Sequence, residues 1–399
     1  MGLVATVSFQ QARKLVVERV KALRQRPAVE RVGLLEAAGR VLASDVASDR
    51  DYPPEPRSMR DGFAVRVGDL PGWLIVTGEV RAGQACEIQV GPGEAVEIMT
   101  GATVPPGADA VAMVEHVRVE GARVAVERVL REGENINGRG CDAGQGQILL
   151  KAGVRIGASE VALLATLGCV EVEVFARTRV AILATGDELV DLDRKPAPHQ
   201  IRNSNSWSLA MQVVRAGGEA VVLAVAPDEI ESTARLVEEG LQFDLLLLSG
   251  GVSAGKYDVV EQALARYGAE FYFDRVKLQP GQPCVFGRAN GKFFFGLPGN
   301  PASTLVCFET LARAAVELLG GLEESTLKVT RAPLAAPFRH KPGLTRFLPA
   351  RLEENGRLSP VKWSGSGDVP ALARANCFLV ADPDIEEYGE GEMIGVLLA

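Results

Sequence analysis

The sequence predicts a multidomain protein of the α/β plus β class, built round a doubly wound α/β domain. Three observations carry that prediction. Between residues 179 and 320 short apolar runs alternate with helical periods, the pattern of a mostly parallel sheet covered by helices. Two other stretches, 61–142 and 327–399, carry short β runs separated by glycine turns. Helical periodicity flanks the first of these, which reads as an all-β domain inserted into a small helical one.

Taken in order, Ser8 is placed to cap a first amphipathic helix over 8–23, with Gln11 at the capping-box position. Residues 32–42 read as a second, short helix, and the charged, proline-rich stretch 49–56 as the exit into the inserted domain. Strands are expected at 73–77, 95–99, 110–114, 117–120 and 124–126, and helical pattern returns over 159–167, stopped by Gly168. The α/β domain follows: strand 180–184, helix 206–216, strand 220–226, helix 229–239, strand 245–248, helix 258–267, strand 270–278, hairpin 283–295 and helix 302–319. Turn signals at 354–356, 364–367 and 389–391 fit a small C-terminal β-barrel. The expected domains are therefore 1–48 with 143–177 (helical), 49–142 (inserted β), 178–325 (α/β) and 326–399 (terminal β).

Composition narrows the function. The chain has 399 residues and a net charge of -8, which argues against general binding to nucleic acid or acidic membranes. No apolar run approaches a membrane span, and the start has no basic region followed by an apolar core. A myristoylation-like pattern over residues 1–6 is short and common enough to be chance. The six cysteines make no C-x-x-C pair and there are only three histidines. That leaves reduced thiols in a cytoplasmic protein, and oxygen ligands for any metal, which points to Mg²⁺.

The chemistry concentrates in residues 244–258. Leu245 to Leu248 form an unbroken apolar run, the mark of a strand buried on both faces. Ser249-Gly250-Gly251 then ends it, and Asp258 opens the next helix as a plausible N-cap. Two glycines let backbone N–H groups approach an anion at a helix start. The loop fits G-x-x-x-x-G-K through Lys256, but Tyr257 stands where a P-loop needs Ser or Thr for Mg²⁺. A ligand of a doubly wound sheet belongs outside the carboxyl ends of the strands. Those ends carry Thr185-Gly186-Asp187-Glu188, Pro227-Asp228, Ser249-Gly250-Gly251 and Leu297-Pro298-Gly299-Asn300-Pro301. Acids at Asp187, Glu188, Asp228 and Asp258 would repel a phosphate unless a divalent ion lies between them. The plainer alternatives are helix caps for the acids, a ligand-free glycine turn after Ser249, and a hairpin turn at Asp61-Gly62.

With these residues in place, the sequence resembles the molybdopterin molybdenumtransferase family, the MoeA type also found as the E domain of gephyrin. The resemblance rests on Thr185-Gly-Asp-Glu-Leu189, Ser204-Asn-Ser206, the run from Ser249 to Asp258, Pro280-Gly281 and Gly296-Leu-Pro-Gly-Asn-Pro301. Asp61-Gly-Phe-Ala-Val65, Ile98-Met-Thr-Gly-Ala102 and Gly140-Cys-Asp142 agree with it, and it runs as far as Gly343-Leu-Thr-Arg-Phe347.

The resemblance implies a four-domain homodimer with shared active sites, which inserts molybdate into adenylylated molybdopterin and releases AMP. It implies catalytic roles for Asp61, Thr100, Glu188, Asp228 and Asp258, with Mg²⁺ held by Glu188, Asp228 and Asp258. The ligand-binding residues it implies are Thr185, Gly186, Asp187, Ser204, Asn205, Ser249, Gly250, Gly251, Ser253, Lys256, Lys277, Pro298, Gly299 and Pro301. Lys256, Arg275 and Lys277 are candidate donors to molybdate. Two departures stand out. Arg60 precedes Asp61 where the family reads Ser-x-Met-Asp-Gly, and this cation would keep Asp61 ionised if the side chains approach. Gln279 and Gln282 replace the lysines of the family's Lys-Pro-Gly-Lys loop. An adenylyltransferase sharing only the α/β fold, and a non-enzymatic dimeric scaffold, are the alternative readings.

Overall fold

The computed structural model describes residues 6–251 and 259–398. The chain divides into two compact units. One comprises Met1–Ala43, Gly153–Val161 and Val170–Ala399, the other Ser44–Ala152 and Ala162–Cys169.

The larger unit is built on a six-stranded sheet. Its order is Glu219–Val222, Arg179–Ala184, Leu245–Ser249, Lys292–Leu297, Val285–Ala289 and Glu270–Phe273. The first four strands run parallel and the last two join antiparallel through the expected hairpin. Leu245–Ser249 is buried along its whole length, as its unbroken apolar run predicts. Strand alternation sends its side chains to two cores. Leu245 and Leu247 join Val180, Ile182 and Phe295 against Val16, Leu209, Val213 and Val306 of three helices. Leu246 and Leu248 join Ala181, Leu183 and Phe294 against Val237, Val260 and Leu264 of two others. Helices therefore cover both faces.

Several elements differ from the sequence reading. The Phe9–Leu23 helix has the expected Ser8–Gln11 capping box, but its apolar stripe of Phe9, Ala12, Val16 and Val20 packs into the α/β core. Within residues 32–42 only Leu34–Ala37 is helical, because Gly39, at φ +77°, takes the chain out of the helix. Val29–Gly33 instead pairs antiparallel with Glu171–Phe175. The strand expected over 270–278 breaks at Asp274-Arg275. Its first part stays in the α/β sheet, and Val276–Gln279 crosses into the terminal sheet beside Val7–Ser8 and Thr345–Leu352. That terminal sheet has seven strands. Leu334, just past Val329–Pro333, bridges Leu358 of the Leu358–Pro360 strand, so five of these strands form a closed ring, to which Val276–Gln279 and Val7–Ser8 add at one edge.

The smaller unit is mostly β, and it also takes in the second half of the Ala158–Thr166 helix. Its six-stranded sheet runs Ala110–Met113, Gly62–Val65, Glu94–Ile98, Gly72–Val80, Arg123–Val126 and Val117–Glu120. Phe63, Val65, Leu74 and Val124 form a core on one face, and Ala64, Val80, Val96 and Ile98 on the other. Among the described residues no helix is long and apolar enough to cross a membrane.

Phe286 holds the hairpin side of the α/β core, with its ring 4.6 Å from that of Phe295 and 5.7 Å from that of Phe273. Phe286→Ala should cost about 3–5 kcal/mol, seen as a lowered denaturation midpoint of this unit in urea.

Candidate active site

The carboxyl ends of the parallel strands are tied to one another before any ligand is considered. Ser249 lies level with Ala184 on one side and Leu297 on the other. Beyond it, Thr185 N donates to Ser249 O at 3.0 Å and Gly250 N donates to Leu297 O at 3.2 Å. Gly250 and Gly251 both sit at positive φ, +91° and +62°. A Cβ on Gly250 would meet Thr185 O at 2.6 Å, and one on Gly251 would meet Thr185 Oγ1 at 2.6 Å. Any side chain there would displace the threonine strand end, so both turn conformation and space call for glycine. Thr185 Oγ1 is buried beside this turn and has no hydrogen-bond partner among the described residues. A buried hydroxyl without a partner carries a desolvation cost that a ligand's polar atom would relieve.

Asn205 completes the cradle. Its Nδ2 donates to Ser249 Oγ at 3.0 Å and to Gly299 O at 2.7 Å, joining the glycine turn to the Pro298–Asn300 loop. Its Oδ1 is buried and, among the described residues, also without a partner. Asn205 opens the Asn205–Arg215 helix, while Ser204 is exposed and its side chain makes no capping bond. The local brace is Asn203, which sequence reasoning missed. Its Oδ1 accepts from Ser206 N at 3.2 Å, and its Nδ2 donates to Ser206 Oγ at 2.9 Å. The signal was the Asn203-to-Ser206 spacing, a side chain reaching three residues ahead to a helix start. Thr304 was missed as well. Its hydroxyl donates to the carbonyls of Pro298 and Asn300, fixing the loop from which the helix starts with Pro301 at its first turn.

The acids lie exposed around this edge. Asp187 Oδ1 accepts from Asp228 N at 3.1 Å, which couples two adjacent strand ends. Glu188 folds back over Gly186, where an added Cβ would meet its carboxylate at 2.4 Å. Asp228 does not cap the next helix, whose N-cap residue is Glu229. Among the described residues neither Glu188 nor Asp228 has an ion-pair partner. Nor do the described residues contain three or more His, Cys, Asp or Glu side chains grouped to hold a metal. Asp258, the expected third ligand, lies outside the described residues, as do Ser253 and Lys256. Two exposed carboxylates without cations beside a phosphate-sized cradle suit a hydrated Mg²⁺, which takes few protein ligands and keeps several waters. Lys277 stands exposed on the strand that crosses to the terminal sheet, level with Ser8.

Asp61 and Thr100 belong to the smaller unit, and the fold brings them together. Asp61 Oδ1 accepts from Thr100 N at 2.6 Å and from Thr100 Oγ1 at 2.8 Å. These two donors, the backbone one first, hold the Asp61 carboxyl below the ordinary carboxylate range. Arg60, expected to keep Asp61 ionised, makes no ion pair with it among the described residues, and the threonine does that work instead. The Asp61–Gly62 pair is more than a hairpin turn. Gly62 starts a buried strand so close to its neighbour that a Cβ would meet Ala112 O at 2.0 Å.

Residues 7–168 match the MoeA N-terminal region (domain I and II), 181–317 a probable molybdopterin binding domain, and 331–399 the MoeA C-terminal region (domain IV). A molybdopterin molybdenumtransferase of Bacillus subtilis is 34% identical over 96% of this chain and 92% of its own length. The chain belongs to the molybdopterin molybdenumtransferase family. A Nostoc member is 36% identical over 79% of this chain and 75% of its own. Among solved structures, the molybdopterin biosynthesis MoeA protein of Pyrococcus horikoshii matches with a TM-score of 0.81 and 29% identity, covering 99% of this chain and 100% of that one.

The Asp61–Thr100 pair makes a pH prediction. A lowered folded-state pKa contributes stability that is complete above the unfolded value of about 3.9 and is lost as pH falls through the folded value. Thr100→Val keeps the backbone donor and removes the hydroxyl. Carbon NMR should therefore find the Asp61 titration midpoint raised part-way towards the ordinary range. An unmoved midpoint would show that the hydroxyl contributes nothing.

Proposed function

We propose that this chain inserts molybdenum into molybdopterin, a step of molybdenum cofactor biosynthesis. Family membership over nearly the whole chain supports an enzyme, and favours neither an adenylyltransferase sharing only the α/β fold nor a non-enzymatic scaffold. The observation that carries the site assignment is the glycine turn at 250–251 packed against the Thr185 hydroxyl, which has no partner among the described residues.

The division of labour follows from the chemistry of the residues. Gly251 offers its backbone N–H group to a phosphate of adenylylated molybdopterin, while the Gly250 N–H, expected to do the same, is taken by Leu297 O, and Asn205 keeps that turn in register with the Pro298–Asn300 loop. Thr185 donates its hydroxyl to the same ligand. Glu188, Asp228 and Asp258 hold Mg²⁺, which when bound neutralises the charge of the phosphoanhydride and of the departing AMP. Asp61, kept ionised by Thr100, accepts a hydrogen bond from water or orients the incoming oxyanion. Molybdate is the second substrate, with Lys256, Arg275 and Lys277 as its candidate donors. The loss of lysine at Gln279 and Gln282 leaves fewer cations for it than the family pattern provides. The six cysteines are unpaired, in keeping with a reaction in the reducing cytoplasm.

The direct test incubates the pure protein with adenylylated molybdopterin, Mg²⁺ and molybdate, and assays AMP and active cofactor. Asp228→Ala should lower AMP release and weaken its Mg²⁺ dependence while the protein stays folded. Unchanged release would remove Asp228 from the site.

We further propose that the enzyme is a two-fold homodimer whose active sites are shared between subunits. Asp61 and Thr100 lie in one compact unit, and Glu188 and Asp228 in the other. If the sites are shared, a mixed dimer of Asp61→Ala and Asp258→Ala subunits has one site with both defects and one with none. Co-refolding two inactive variants should then return about half of native activity per dimer. Mixed dimers verified by mass that stay inactive would mean that each site belongs to one chain.

A further inference from the structure

The amino ends of the central parallel strands carry a second concentration of chemistry. Arg179 and Lys292 begin two of these strands and Asp244 immediately precedes the third. They line a cavity of about 500 Å³ together with Arg24, Arg26, Arg177 and Arg288, so six basic residues and one acidic residue border it. This happens in a chain whose net charge is -8.

Three of the six are already matched. Arg24 donates to the carbonyls of Leu318 and Leu322, both at 2.6 Å, and reaches Glu323 at 3.5 Å. Lys292 pairs with Asp244 at 3.6 Å, and Arg179 faces Glu219 at 4.0 Å. Arg26, Arg177 and Arg288 have no carboxylate within ion-pair reach among the described residues. Each donates to one carbonyl: Arg26 to Ala43 at 3.3 Å, where it also lies over the Phe175 ring, Arg177 to Gly217 at 3.4 Å and Arg288 to Gly291 at 3.2 Å. Burial and then the charge of Arg40, which lies outside this cavity, push the Arg177 guanidinium below its ordinary value. Leu23, Pro27 and Leu319 add an apolar wall.

We propose that this cavity binds a multiply charged phosphate ligand through Arg26, Arg177 and Arg288. A guanidinium fork matches phosphate oxygens in pairs, and the volume falls within the roughly 300–1,000 Å³ of small-ligand sites. Leu245–Ser249 has five residues, so this end lies roughly 15 Å along the sheet from the glycine turn. The site is distinct from the carboxyl edge, where an α/β sheet ordinarily binds its ligand. It does not depend on the proposed reaction.

The test is calorimetric titration at about 0.15 M salt with two probes, ATP and inorganic tripolyphosphate. Arg26→Gln with Arg288→Gln removes two of the unmatched charges. Arg118→Gln with Arg339→Gln removes the same charge elsewhere on the surface. Saturable binding to the native protein is expected, weakened about tenfold or more by the first pair and unchanged by the second. ATP binding more tightly than tripolyphosphate would assign the site to an organic phosphate held by the apolar wall, and equal binding to an inorganic one. Arg26→Gln alone, at an exposed side chain, serves as the second variant and should weaken binding in the same sense. Absence of saturable binding, binding undiminished in the Arg26 variants, or equal weakening by both pairs would overturn the proposal.

Discussion

The strand Leu245–Ser249 is hydrogen-bonded on both edges and buried on both faces. Nothing in that position can shift without disturbing two cores, so the point where the chain leaves the sheet is fixed to within a residue. The chain must turn just past Ser249, in the space left by Thr185, and glycine is the residue that meets both demands. The rest of the carboxyl edge is arranged around that turn. Asn205 reaches it from the next helix and holds it to Gly299, and Thr304 holds the Gly299 loop in turn. The Gly250–Gly251 turn is thus set by backbone packing.

The electrostatics of the two units follow different rules. At the α/β edge Glu188 and Asp228 are exposed and without cationic partners among the described residues, so no protein group neutralises their charge there. In the β insertion, Asp61 is held by two donors from one residue, and its charge is stabilised locally by Thr100. At the amino edge of the sheet, basic side chains gather where the fold rule for ligands does not look. A negative chain with one dense positive hollow is better described by its local fields than by its net charge.

Much of this was legible because it rests on short-range rules. Period-2 and period-3.6 patterns placed the parallel strands, the hairpin and the Ser8 cap, and the rule that ligands sit at strand carboxyl ends drew attention to Thr185 and the glycine pair, while Asn205 came from the family resemblance. The failures share a cause. Residues 270–278 look like one strand because alternation says nothing about which sheet accepts each half. The first helix displays an apolar stripe without naming its partner, and that partner proved to be the α/β core.

The sequence by itself determined the element types, the order of the domains and the identity of the family, since these depend on local propensity and on motif residues at fixed spacing. Tertiary structure alone decided that Asp61 is held by Thr100, 39 residues away, rather than by the adjacent Arg60. It also decided that Asn205 joins two loops, that a bridge from Leu334 to Leu358 closes the terminal sheet, and that six basic residues from distant segments border one cavity. Each of these depends on distances between residues far apart in the chain, which packing sets and a linear pattern does not contain.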